Sequence, residues 1–207
     1  VALAVLCAFA ICTRFQVSHW RNSYTVFQHA SSVTSNNYVA LHSLAFCLFQ
    51  EGKTDDAIEY EQKSLQIKPA FAPAYEGLGM IFLQKGAIDK AAGYFEKAIQ
   101  IEPGMPSAIN NLAWLHATCK DSSVYNPPRA LKLAQRACEL SNYDDAAALD
   151  TLSAAYAANS DFSQAIATAE KALNLATAIR DKQLAEQIEQ HLNFYGKNES
   201  VADSCQK

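Results

Sequence analysis

Glycine and proline are scarce in this chain, seven and six residues among 207. Turn-rich β architectures use more of both, so helices are favoured. No dense cluster of Lys and Arg occurs, and the formal net charge is -4. Nothing therefore supplies the basic field that nucleic acid requires, and no nucleic-acid partner is expected. No two of the six cysteines form a C-x-x-C pair. Cys7, Cys12, Cys47, Cys119, Cys138 and Cys205 are scattered, whereas zinc sites show close ligand pairs, so no metal is assigned. Cys47 and Cys138 fall at helical positions expected to pack, as small buried thiols do. A Gly-rich phosphate loop, a nucleophile elbow and a Ser/His/Asp grouping are all missing, so neither catalytic residue nor cofactor is assigned to this segment. What remains is 50% hydrophobic and 18% charged, the composition of a globular protein with enough chain to bury a core.

The one long apolar run falls short. VALAVLCAFAICT ends at Arg14, and a spanning helix needs about 20 such residues. Because the sequence starts with Val rather than Met, residues 1–14 are expected to be the C-terminal part of a transmembrane helix. No basic segment precedes the run and no A-x-A-like site follows it, which disfavours a signal peptide. A buried globular helix stays open as the alternative. Trp20, His19 and His29 are expected near the membrane interface, where Trp is favoured. Arg14 and Arg21 lean toward a cytoplasmic placement by the positive-inside tendency.

What the chain has instead is self-similarity. DDAIEYEQKSLQIKP (Asp55–Pro69) returns as DKAAGYFEKAIQIEP (Asp89–Pro103), 34 residues on. Leu44-Ala45, Leu78-Gly79 and Leu112-Ala113 keep the same offset. A period of this length implies stacked repeats. Within one repeat, Tyr75, Leu78, Gly79 and Phe82 occupy i, i+3, i+4 and i+7, one face of a helix. Gly86 follows, where a positive φ ends that helix. Ala91, Phe95 and Ala98 make the face of a second helix, and Pro103 stops it. The small residues at Gly79, Ala91 and Ala98 let two backbones approach while a large neighbour fills the space.

Large–x2–L–G/A–x2–aromatic followed by A–x3–F–x2–A–x4–P resembles the tetratricopeptide repeat. The second repeat matches at Tyr75, Leu78, Gly79, Phe82, Ala91, Phe95, Ala98 and Pro103. The first departs at Glu61 and Ser64, the third at His116 and Ala134, and the fourth at Ser153 and Ala169. The resemblance implies an all-α fold, a right-handed superhelical solenoid of about four helix-turn-helix units. These fall at 38–71, 72–105, 106–145 with an insertion near 120–128, and 146–179. A lone second helix of a partial repeat is expected over 18–35, a capping helix over 180–196 to close the open apolar end, and a flexible tail over 197–207. WRNS…FQHA after an apolar helix, with NNLAWLHAT, LDTLSAAYA and ATAEKALNLA, is also similar to the carboxy-terminal region of certain bacterial multi-pass membrane proteins. In those, a module related to protein O-mannosyltransferases precedes tetratricopeptide repeats. That likeness implies an upstream catalytic module and an extracytoplasmic face; it carries over no catalytic residue.

By the first resemblance, the concave groove takes the second, fifth, ninth and twelfth residues of each repeat. The ninth gives Phe46, Met80, Trp114 and Ala154; the twelfth gives Phe49, Leu83, Ala117 and Ala157. An exposed apolar row of this kind marks an interaction site. The fifth gives His42, Glu76, Asn110 and Asp150, with Asn111 adjacent, and an asparagine there can pair with a peptide backbone. No lysine stands among them, so a clamp for carboxylate-terminated peptides is not expected. A stripe at helical spacing is equally what a core looks like, and the insertion or the 18–35 helix could cover the groove. His116, close in sequence to Cys119, replaces a packing aromatic and reads as a core histidine. The expected role is a membrane-tethered scaffold that docks a partner polypeptide. A substrate-positioning region for a membrane glycosyltransferase and a structural oligomerisation element are the alternatives.

Overall fold

The structure is a computed structural model that describes residues 23–120 and 122–204. Every regular element among them is a helix. Two compact units divide the chain between Ile81 and Phe82, and each is described by itself. The transmembrane reading of residues 1–14 lies outside the described residues. Among the described ones, no helix is long and apolar enough to cross a membrane.

In the first unit, α1 (Ser23–Val33), α2 (Tyr38–Gln50) and α3 (Thr54–Ile67) precede α4 (Ala72–Gln84), which runs through the unit boundary. Asn37 caps α2 by accepting from the Ala40 amide, which satisfies one of the donors a helix start leaves over. Gly52, at φ +76°, turns the chain from α2 into α3. The residues this brings inside are those of the repeat signature: Leu44, Ala45, Ala57 and Leu78 are all buried. Helix α1 packs against α2; residues 18–22 of the expected partial-repeat helix lie outside the described residues.

The second unit contains α5 (Ile88–Ile101), α6 (Pro106–Thr118), α7 (Pro127–Leu140), α8 (Ala146–Ala158), α9 (Phe162–Ala178), α10 (Lys182–Tyr195) and α11 (Val201–Ser204). Helices α6 and α7 form one packed pair, and α8 and α9 another. Their seam is alanine: Ala113, Ala130, Ala134, Ala155, Ala165 and Ala169 have no exposed surface. With one methyl each, these residues let the helices close in, and larger groups such as Ile109, Ile188 and Tyr195 fill the rest of the same core. Asp145, Asp161 and Asp181 each accept backbone N–H at the start of α8, α9 and α10. The insertion is ordered by polar contacts. Asn126 caps α7 and its amide donates to the His116 carbonyl, while the Ser122 and Ser123 hydroxyls both donate to Asp89.

One expectation is corrected. Within the expected flexible tail, Ser200, Val201 and Ala202 are buried, at 5%, 8% and 1% exposure, while residues 205–207 lie outside the described residues. The physical reason is a pair of small aliphatic side chains, Val201 and Ala202, within an otherwise polar stretch. They find an apolar seat on α6 and α8.

Candidate functional site

The two compact units present their concave positions differently. In the first unit the ninth-position side chains are open, with Phe46 57% and Met80 37% exposed. Phe49, His42 and Glu76 are half-buried beside them. Beneath this wall lies a polar arrangement that the departure at Glu61 makes possible. Glu61 takes the slot where an aromatic is usual, and it is buried. His42 Nδ1–H donates to its carboxylate, at 2.9 Å to Oε1 and 3.1 Å to Oε2. Burial raises the Glu61 pKa to about 6, against the lowering effect of His42. Gly77 leaves room for it: a Cβ there would stand 2.2 Å from Glu61 Oε1. The Phe71 ring meets His42 edge-on at 5.5 Å and holds it in place. Ser64, the other departure, is fully buried and donates its hydroxyl to the Tyr38 carbonyl at 2.9 Å.

In the second unit the chain covers part of its own wall. Asp150, at the fifth position of the fourth repeat, is 3% exposed. It accepts from His191 Nδ1–H of α10 at 2.8 Å. The His191 ring also lies 5.6 Å from that of Trp114, and the Tyr195 hydroxyl meets Ser153 at 3.3 Å. Burial raises the Tyr195 pKa, and the tyrosine stays neutral. Ala154, Ala117 and Ala157 are buried, so the small ninth and twelfth positions belong to packing. Leu83 is half-buried. Asn110 and Asn111 line a cavity of about 370 Å3 together with Pro106, Ser107, Asp145 and Ala148. The Asn110 Oδ1 atom is buried without a hydrogen-bond partner, an acceptor that an incoming N–H would satisfy.

Sequence reasoning placed Asp150 at a groove-facing position, with the groove either open or self-filled, and did not single out His191, Val201 or Ala202. Asp150 and His191 lie 41 residues apart, and no short-range pattern connects them. His116 is buried as a core histidine. Its Nδ1–H donates to the Val124 carbonyl of the insertion, and desolvation lowers its pKa. Burial pushes the Cys138 thiol up to about 12, leaving it protonated and inert. Among the described residues, no three His, Cys, Asp or Glu groups converge as a metal site would require.

The tetratricopeptide repeat family model matches residues 38–71 and 72–104, the first two helix pairs. The chain has the fold of a tetratricopeptide solenoid. It is similar to the crystal structure of the APC/C hetero-tetramer Cut9–Hcn1, with a TM-score of 0.64 and 23% identity over 74% of this chain and 28% of that one. It is similar to TTC0263, a thermophilic TPR protein of Thermus thermophilus, with a TM-score of 0.64 and 17% identity over 86% of this chain and 93% of that one. YrrB, described as a TPR protein with an unusual peptide-binding site, matches with a TM-score of 0.58 and 19% identity over 87% of this chain and 97% of that one. No curated protein matches the chain.

Proposed function

We propose that this protein is an interaction scaffold whose first two repeats dock a partner polypeptide along Phe46 and Met80. The observation that carries this reading is the exposure of those two large apolar side chains, 57% and 37%, at equivalent positions of successive repeats. Burying them on a partner recovers hydrophobic free energy on the order of 1 kcal/mol or more for each. The spacing supports a polypeptide partner, since exposed side chains at equivalent positions of two successive repeats suit an extended chain. Within the second unit, Asn110 separately supports a peptide ligand, because a buried carbonyl oxygen without a donor matches a peptide N–H. The peptide-binding site named for YrrB is consistent with this role for the fold. A membrane tether over residues 1–14 extends the proposal by placing the wall beside a bilayer.

The test is to select binders from a displayed peptide library on the intact protein, then measure the affinity of one synthetic binder for wild type and for Phe46→Asp/Met80→Asp. A drop of about tenfold or more, with helicity retained, is expected. Equal affinity would remove the wall from the account.

A further inference from the structure

The covered wall of the second unit carries a separate inference, independent of the Phe46 and Met80 wall. Helix α11 has four residues, far fewer than an isolated helix needs to persist in water. It is helical because it is seated: Val201 shares a core cluster with Ala117, Ala154 and Ala157, and Trp114 packs against the same cluster. The seat is larger than its occupant. A cavity of about 740 Å3 opens beside α11 on its α5 and α6 side, lined by Ala87, Ile88, Trp114 and Val201 and edged by Asp89 and Lys90. The tail therefore covers one edge of a mostly apolar depression with a charged rim and leaves the rest unfilled. Helix α10 is anchored differently, through fully buried Ile188 and Tyr195.

We propose that the face formed by α6 and α8 is a second polypeptide-binding site, closed by the chain's own residues 200–204. Its partner is a short segment carrying two adjacent aliphatic side chains on a helical turn. The chain's own Ser-Val-Ala segment, already seated there, shows the chemistry that the face accepts. The tether gives that segment a high local concentration, equivalent to millimolar. A competitor must gain its advantage in the space the tail leaves empty, and larger aliphatic groups do so.

The experiment uses the full chain in a Trp20→Phe background, which leaves Trp114 as the only one of the two tryptophans. Acrylamide quenching of Trp114 is compared between that chain and its Val201→Asp/Ala202→Asp form. Val201→Gly/Ala202→Gly is made in parallel in case the aspartates disturb folding. Quenching is expected to rise about twofold in either variant, because the seated turn shields the indole. A synthetic peptide of sequence NESVADS should restore protection at millimolar concentration. The same peptide with Ala202→Leu should act at about tenfold lower concentration, as three added carbons enter the cavity. Unchanged quenching in both variants would show that the tail does not cover Trp114. Raised quenching that neither peptide reverses would show that the face accepts no segment in trans. Either result overturns the proposal.

Discussion

At the scale of single residues, the first repeat depends on a three-way accommodation. Glu61 occupies an aromatic slot, His42 satisfies it and Gly77 makes the space. Gly77→Ala alone should raise helix propensity by about 1 kcal/mol. The added Cβ displaces the Glu61 carboxylate from its histidine, and a buried charge without its partner costs more than that gain. Gly77→Ala is therefore expected to destabilise wild type yet stabilise a Glu61→Ala background by about 1 kcal/mol. Urea unfolding of the four proteins as a double-mutant cycle measures the reversal. The carboxyl also sets a pH dependence. Its folded pKa is raised from 4.5 to about 6, so the folded state holds the proton more tightly than the unfolded chain. The contribution of this group is fully present below pH 4.5 and is lost as the pH rises through about 6. Denaturant midpoints across that interval should fall more steeply for wild type than for Glu61→Gln.

At the scale of elements, turn chemistry was legible where glycine carries it and hidden where it does not. Gly52 and Gly86 take φ of +76° and +72°, and the 34-residue pattern predicts Gly86 as a helix terminator. The equivalent place in the fourth repeat holds Ser160 at φ +65°, a conformation that strains any residue with a Cβ. Ser160→Gly should therefore stabilise the second unit by about 1 kcal/mol, read as a higher midpoint in urea. Helix α10 was legible as a helix through Leu184, Ile188, Leu192 and Tyr195 at helical spacing. Its attachment was not, because the pair that fixes it joins residues 41 apart. His191→Ala leaves Asp150 buried without its donor and should cost about 3 kcal/mol or more. Asp150→Ala/His191→Ala should cost less than the single change, in the same unfolding assay. The tail illustrates the limit of composition: NESVADS reads as polar, but two small aliphatic residues were enough to seat it.

At the scale of the whole molecule, the period announced the fold, because Leu44, Leu78 and Leu112 can recur every 34 residues only if each faces the same kind of neighbour. All three are buried. The same period could not tell an open wall from a covered one. Phe46 and Trp114 are both ninth-position aromatics, yet only the first is more than half exposed, and what covers the second lies far away in sequence. The central claim is that the Phe46 and Met80 wall is where a partner polypeptide binds. The chain holds two methionines, Met80 on that wall and Met105 at the cap of α6. Their 13C-labelled methyl groups give one probe and one internal control. Titration of the intact protein with a selected peptide is predicted to shift the Met80 signal progressively while Met105 stays in place. A bound peptide that leaves Met80 unmoved would contradict the account.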